Sequence, residues 1–97
     1  MKLESLQLDP VAKSLSIQAK IDFDQFDLFA EPLAAAMDAR VIERHDGADR
    51  HQWLLTFEGT LIQLNYEFYA EICWLSVEAE DEVEVLEYLA SLLRRLL

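Results

Sequence analysis

The feature that most constrains the fold is a pair of alternating apolar and polar runs that meet at Glu58-Gly59. Such alternation is typical of strands whose two sides face different surroundings. A two-residue turn at this dipeptide pairs Phe57 with Thr60 and sets an antiparallel register for both strands. That register places one set of large side chains on a common face: Trp53, Leu55, Phe57, Ile62, Leu64 and Tyr66. A slip of one residue would expose all of them, so the register is strongly specified.

A third run follows after a short loop and carries apolar residues on both sides. Cys73, Leu75 and Val77 lie on one side of this predicted strand. Ile72 and Trp74 lie on the other side, and the alternation places Leu54 and Leu61 there too. The sheet therefore has apolar residues on both faces.

Three further strands are predicted before this centre. Residues 3–8 and 14–22 alternate and are separated by Asp9-Pro10, residue types that favour a turn, so they indicate an N-terminal hairpin. Residues 40–45 are the third candidate, and residues 46–50 form the loop that leads into the centre.

Two segments have helical periodicity. Apolar residues recur at helical spacing from Phe26 to Met37, after the potential cap residues Asp22 and Asp24, and Pro32 within this segment is expected to kink the helix. A second helix begins at residues 80–82 and runs to the C-terminus, with acidic residues in its first turns and basic residues in its last.

The sum is a single α+β domain, residues 1–97, in the order β-β-α-β-β-β-β-α. We expect two layers, a mostly antiparallel sheet of about six strands with two helices. Strand order does not follow from the sequence, and the helix between the second and third strands permits a parallel crossover.

Charge is the extreme property of the composition. The chain has 19 acidic and 8 basic residues, a formal net charge of −11. This argues against binding to nucleic acid or to an anionic membrane, both of which need clustered Lys and Arg. A basic protein partner is compatible with the charge, and so is solubility alone.

A cytoplasmic location is expected from three further properties. No apolar run approaches a membrane span, and the first residues lack the apolar centre of a signal peptide. The single Cys73 excludes an intramolecular disulfide.

Candidate chemistry is sparse. Residues 45–51 contain two His and two Asp, and His45 and His51 could approach across a hairpin to bind a metal, or could belong to an ordinary solvated loop. Cys73 with His51 permits a thiol nucleophile and base, but a buried inert thiol is the commoner case. The acidic groups near residues 22–27 and 80–82 are explained by helix starts. No cofactor or metal is predicted.

The outward side of the sheet is the more informative feature. Leu54, Leu61, Ile72 and Trp74 form a possible partner surface if both helices cover the opposite side, and Phe68 and Tyr69 could extend it. If one helix lies on each side, the same residues belong to the core.

Residues 47–53 (GADRHQW), 57–60 (FEGT) and Trp74-Leu75 resemble a family of short proteobacterial proteins, domain of unknown function 3630. The similarity extends from the first helix to the last. The resemblance implies a bacterial cytoplasmic protein and no known activity, and it draws attention to Asp49, Arg50 and His51, together with Trp53, as a possible polar site.

The leading hypothesis is a small acidic, non-catalytic protein that binds another protein, or itself, through the outward sheet face. A variant is an inhibitor-type protein that masks a basic partner. The alternative, from a different class, is a metal-dependent or thiol enzyme that uses the His45–His51 loop or Cys73.

Overall fold

The computed structural model describes residues 1–97 and has the predicted element order. The strands are β1 (Ser5–Asp9), β2 (Ser14–Gln18), β3 (Arg40–Asp46), β4 (Arg50–Phe57), β5 (Thr60–Glu67) and β6 (Ile72–Ser76). The helices are α1 (Asp27–Ala36), after a 3₁₀ turn at Phe23–Gln25, and α2 (Val83–Leu93), which lies between 3₁₀ turns at Glu80–Glu82 and Arg94–Leu96. The α+β prediction is confirmed.

All six strands form one sheet in the order β1-β2-β6-β5-β4-β3, and every neighbouring pair is antiparallel. The permitted parallel crossover does not occur. After β2 the chain passes through α1 and returns at the opposite edge as β3, and the β4–β5–β6 meander then fills the space back to β2. This order places β6 and β5 at the centre of the sheet.

The central hairpin has the predicted register. Phe57 pairs with Thr60, Leu55 with Ile62 and Trp53 with Leu64. Glu58 and Gly59 both have positive φ, 48° and 85°, as a type I′ turn requires. Gly59 accommodates this conformation without a Cβ penalty, which explains why the two strands meet at this residue pair.

Both helices pack on the same side of the sheet. Their buried residues, including Phe29, Leu33, Leu86 and Leu89, join the inward residues of the strands in one cluster of 23 buried side chains. No outward strand residue belongs to that cluster. The alternative with one helix on each face is therefore wrong, and the molecule has two layers.

Several boundaries differ from the prediction. β2 ends at Gln18 rather than residue 22, because the chain leaves the sheet there to reach the 3₁₀ turn. β1 begins at Ser5, since the Leu3 amide instead donates to the Leu96 carbonyl at 2.8 Å. β3 and β4 are one residue longer toward their connection than expected, so the loop is residues 47–49.

α1 is continuous through Pro32, its sixth residue, which lies on the exposed side. Proline removes only one helix hydrogen bond, and its ring points to solvent, so the packed apolar face holds the two halves together. A kink at this position stays a prediction. Asp22 caps the preceding 3₁₀ turn, accepting from the Asp24 amide at 3.0 Å.

Candidate functional site

The side of the sheet opposite the helices is uncovered. We call the outward residues of β2, β6, β5 and β4 the open face. Leu61 and Ile72 are 53% and 48% exposed, whereas Leu54 and Trp74 are only partly exposed because neighbouring strands flank them. The four residues predicted as a partner surface thus all lie on this face.

These four residues form two apolar pairs rather than one continuous patch. Leu54 and Leu61 are diagonal neighbours across β4 and β5, because Leu54 pairs with Gln63 two positions along from Leu61. Ile72 and Trp74 lie on β6. Polar residues of β5 separate the pairs, and Trp74 lies directly opposite Asn65.

Asn65 is the one deeply buried polar residue of the open face, at 3% exposure. Its amide nitrogen is 3.3 Å from each of three acceptors: the Gln63 carbonyl, the Trp74 carbonyl and the Ser76 hydroxyl. The side chain therefore links β5 to β6 and fixes the polar strip between the two apolar pairs.

The open face is almost free of charge, although 28% of the chain is charged. Its charged residues, Arg50 and Glu67, face each other at one end of the sheet, with 3.8 Å between Arg50 Nη2 and Glu67 Oε1. The other outward residues are apolar, hydroxyl or amide: Ser14, Ser16, Gln18, Gln52, Leu54, Thr56, Leu61, Gln63, Asn65, Ile72, Trp74 and Ser76.

A second cluster surrounds His51, on the helix side of the sheet. His51 is 7% exposed, and its Nδ1 and Nε2 lie 2.7 Å from Asp46 Oδ1 and 2.9 Å from the Phe23 carbonyl oxygen. Both partners are oxygen acceptors, so each ring nitrogen donates when it carries hydrogen. Asp46 Oδ1 also accepts from Trp53 Nε1 at 2.9 Å.

Aromatic rings enclose this histidine. The Phe26 ring stacks on His51 at 4.6 Å with 10° between the planes, and the Phe23 ring lies at 4.1 Å. Phe26 also stacks on Tyr66, and the Arg44 guanidinium lies 4.8 Å from the Trp53 ring centre. We call His51, Asp46, Trp53, Phe23 and Phe26 the His51 cluster. It joins the 3₁₀ turn to β3 and β4, and both ring nitrogens of His51 serve this structural role.

The structure does not bring Asp49, Arg50 and His51 together. Asp49 lies exposed in the loop, and its carbonyl accepts from the Phe68 amide at 2.8 Å. Arg50 and His51 are adjacent in β4, so they point to opposite faces of the sheet. The three residues do not share one site.

His45 and His51 also lie on opposite faces. In the hairpin, Asp46 pairs with His51, and His45 pairs with Gln52. His45 is exposed and lies 3.0 Å from Glu43 Oε2. No group of three or more His, Cys, Asp or Glu side chains has the geometry of a metal site.

Cys73 is buried on the helix side, at 3% exposure. Burial raises the pKa of its thiol to about 12, which keeps the thiol protonated at neutral pH. Tyr66 pairs with both Cys73 and His51 and so lies between them in the sheet. The thiol has no adjacent base.

The sequence did not identify the partners of His51. The sequence predicts a loop at Asp46, whereas this residue is the last of β3. The Phe23 carbonyl is a backbone group of a distant segment. Only the clustering of Phe23 and Phe26 before the helix gave any sign of an aromatic contact.

No helix of the structure has both the length and the apolar character that a membrane crossing requires. The family model described as "Protein of unknown function (DUF3630)" matches residues 3–94. No curated protein and no solved structure matches the chain.

Proposed function

The chain belongs to this family of unknown function, and from that premise we propose that it is a non-catalytic protein that acts by self-association, two copies meeting through their open faces. The observation that carries the proposal is that the outward side chains of four adjacent strands include only one pair of charged residues, Arg50 and Glu67, on a molecule whose net charge is −11. The polar groups elsewhere support the non-catalytic part, since His51 and Cys73 are buried and separated.

The open face supports association because its exposed residues include large apolar side chains. Leu61 and Ile72 are exposed and Trp74 is partly exposed, and all three offer apolar area that a partner removes from water. Tryptophan is enriched among the residues that dominate binding energy at interfaces. Serine, threonine, asparagine and glutamine side chains around them provide hydrogen bonds without the desolvation cost of a charge.

The charge distribution favours a second copy over a basic partner. A basic partner needs carboxylates on the contact surface, and the only carboxylate outward from the four strands is Glu67, which already faces Arg50. Two copies meeting through any acidic surface bring like charges together, which is destabilising. The open face avoids that repulsion.

The size of the open face supports a reversible rather than a permanent dimer in this proposal. Four strands about 4.8 Å apart and about six residues long at 3.3 Å per residue cover roughly 400 Å² in plan. Stable interfaces usually bury about 800 Å² on each partner. We therefore propose weak self-association that depends on protein concentration, with sheet packed on sheet.

The test is sedimentation equilibrium of the wild-type protein and of Trp74→Glu over a wide concentration range. We expect wild type to dimerise and Trp74→Glu to stay monomeric, because the substitution places a charge in the interface. The unfolding midpoint should not change, because residue 74 is partly exposed and lies outside the core. Leu28→Glu is the matched control: Leu28 is 65% exposed on α1, away from the open face.

Salt separates the two kinds of partner. Raising NaCl from about 0.05 to 0.5 M shortens the screening length severalfold. Dimerisation of an acidic chain should strengthen as repulsion between copies is screened, whereas a complex with a basic partner should weaken. A wild-type protein that stays monomeric at millimolar concentration, or a Trp74→Glu variant that dimerises like wild type, contradicts the proposal.

The proposal includes a cytoplasmic location. The one thiol is buried and unpaired, and the fold uses no disulfide, which is consistent with a reducing compartment.

A further inference from the structure

A cleft lies at the end of the sheet where β2 ends. It has a volume of about 620 Å³, within the usual size of small-molecule sites. The segment 19–22 that leaves β2 forms one wall, and the inward side chains Ile17, Tyr66 and Cys73 form its base. The cleft thus has an apolar base beneath a polar rim.

Tyr66 has an unpaired hydroxyl at this cleft. The residue is 6% exposed, and its ring is held against Phe26, with 6° between the two planes. Its hydroxyl makes no hydrogen bond within the chain. Every fully buried side-chain polar atom has a hydrogen-bond partner, so this hydroxyl is not fully buried. The oxygen must therefore contact solvent, and the cleft is where Tyr66 borders open space.

The rim of the cleft carries excess negative charge. Glu4, Asp22 and Glu71 line it against a single Lys20, a net charge of −2. The carboxylates of Glu4 and Glu71 make no ion pair within the chain. Burial raises the pKa of the Tyr66 hydroxyl, and the charge of Glu71 raises it further, so this hydroxyl stays neutral and lies within the field of the carboxylates.

We propose that this cleft binds a small organic diammonium ion. One ammonium group donates to the Tyr66 hydroxyl and to a rim carboxylate, the second is held by the remaining carboxylates, and the methylene chain lies on the apolar base. Two positive charges balance the net charge of the rim. Anions are repelled, and the cleft offers no three-ligand set for a metal ion.

The test is an NMR titration of the full chain with 1,4-diaminobutane, with 1,4-butanediol and succinate as probes of equal length. We expect saturable shifts confined to residues of the cleft with the diamine, and none with the diol or the dianion. Tyr66→Phe, which keeps the stacked ring, should weaken binding about tenfold. Tyr88→Phe, an exposed tyrosine on α2, is its matched control and should bind like wild type.

Charge variants distinguish a site from the general ion atmosphere of an acidic protein. Glu71→Gln on the exposed turn should weaken diamine binding severalfold, whereas Glu84→Gln on α2 removes the same charge elsewhere and should leave it unchanged. Equal weakening by the two variants, equal binding by Tyr66→Phe and wild type, or binding of the diol as well as the diamine overturns the proposal. If Tyr66→Phe does not fold, the comparison of Glu71→Gln with Glu84→Gln and the location of the NMR shifts test the proposal.

Discussion

The two faces of the sheet use the same strands for opposite purposes. The helix side buries Trp53, Leu55, Leu64 and Leu75 to 1% exposure or less. The open face, one residue away at each step, carries a mixture of amides, hydroxyls and partly exposed apolar groups. The alternation therefore specifies the fold through the helix side, and the outward residues can vary without changing which strands pair.

The sharpest test of this comparison is a pair of leucine truncations on β5. Leu64→Ala should lower the free energy of unfolding by about 2–5 kcal/mol, because it leaves a cavity beneath the helices. Leu61→Ala on the open face should change it by about 0.5 kcal/mol or less. Urea unfolding at a low concentration that keeps both variants monomeric measures the difference. Similar losses in the two variants would show that the open face is also core.

The two histidines of the β3–β4 hairpin extend the comparison to polar groups. His51→Ala removes two hydrogen bonds and an aromatic stack on the buried side, and should cost about 2–4 kcal/mol of unfolding free energy. His45→Ala on the exposed side should cost at most about 0.5 kcal/mol. Thermal and urea unfolding at neutral pH check both values. A stable His51→Ala protein would refute a structural role for the His51 cluster.

The buried thiol makes the helix side sensitive to alkali. The pKa of Cys73 is raised in the folded protein to about 12 from an ordinary value of 9.0, so the unfolded chain ionises first as pH rises. The contribution of this thiol to stability is complete well below pH 9 and is lost progressively between pH 9 and 12, about 1 kcal/mol of it by pH 10. The raised pKa of Tyr66 acts in the same direction.

Unfolding free energies measured from pH 8 to pH 10 test this dependence. The unfolding free energy of Cys73→Ala should decrease less over that range than that of wild type. In this variant Tyr66 is the one group in this part of the core whose raised pKa still makes stability depend on pH. An equal decrease in the two proteins would contradict the assignment. In the native wild-type protein, a thiol reagent should also react much more slowly than after unfolding.

The smallest effect contrasts two arginines. Arg44 lies over the Trp53 ring and bonds Glu31 at 2.7 Å, so Arg44→Ala should cost about 1 kcal/mol. Arg50 faces Glu67 at 3.8 Å on the open face, and Arg50→Ala should cost at most about 0.5 kcal/mol. Urea unfolding of both variants in low and high salt measures the two costs. A larger loss of unfolding free energy for Arg50→Ala than for Arg44→Ala would mean that charge also organises the open face.

The central hairpin was predictable because its information is local. The turn residues Glu58 and Gly59 and the period of two fix which residues pair, and the structure has that register. Both helices were predictable from periodicity for the same reason. The placement of both helices on one face was not, because apolar residues on both sides of the sheet fit either arrangement.

The candidate sites depended on contacts between distant segments, which spacing does not encode. Insertion of β6 between β2 and β5 follows from the packing of the whole sheet. The Phe23 carbonyl that bonds His51 is 28 residues away and has no sequence signature. The proposed His45–His51 pairing failed for a simpler reason: β3 extends to Asp46, so the two rings point to opposite faces.

The edge strand β3 limits how this protein can assemble. Its register shifts between Val41 and Glu43. Most of its side chains are ionisable: Arg40, Glu43, Arg44, His45 and Asp46. A bulged, ionic border is a poor template for hydrogen bonding to a strand of another molecule. The folded protein should therefore not form ribbons or fibrils in concentrated solution. Any oligomer it forms should have a fixed number of copies.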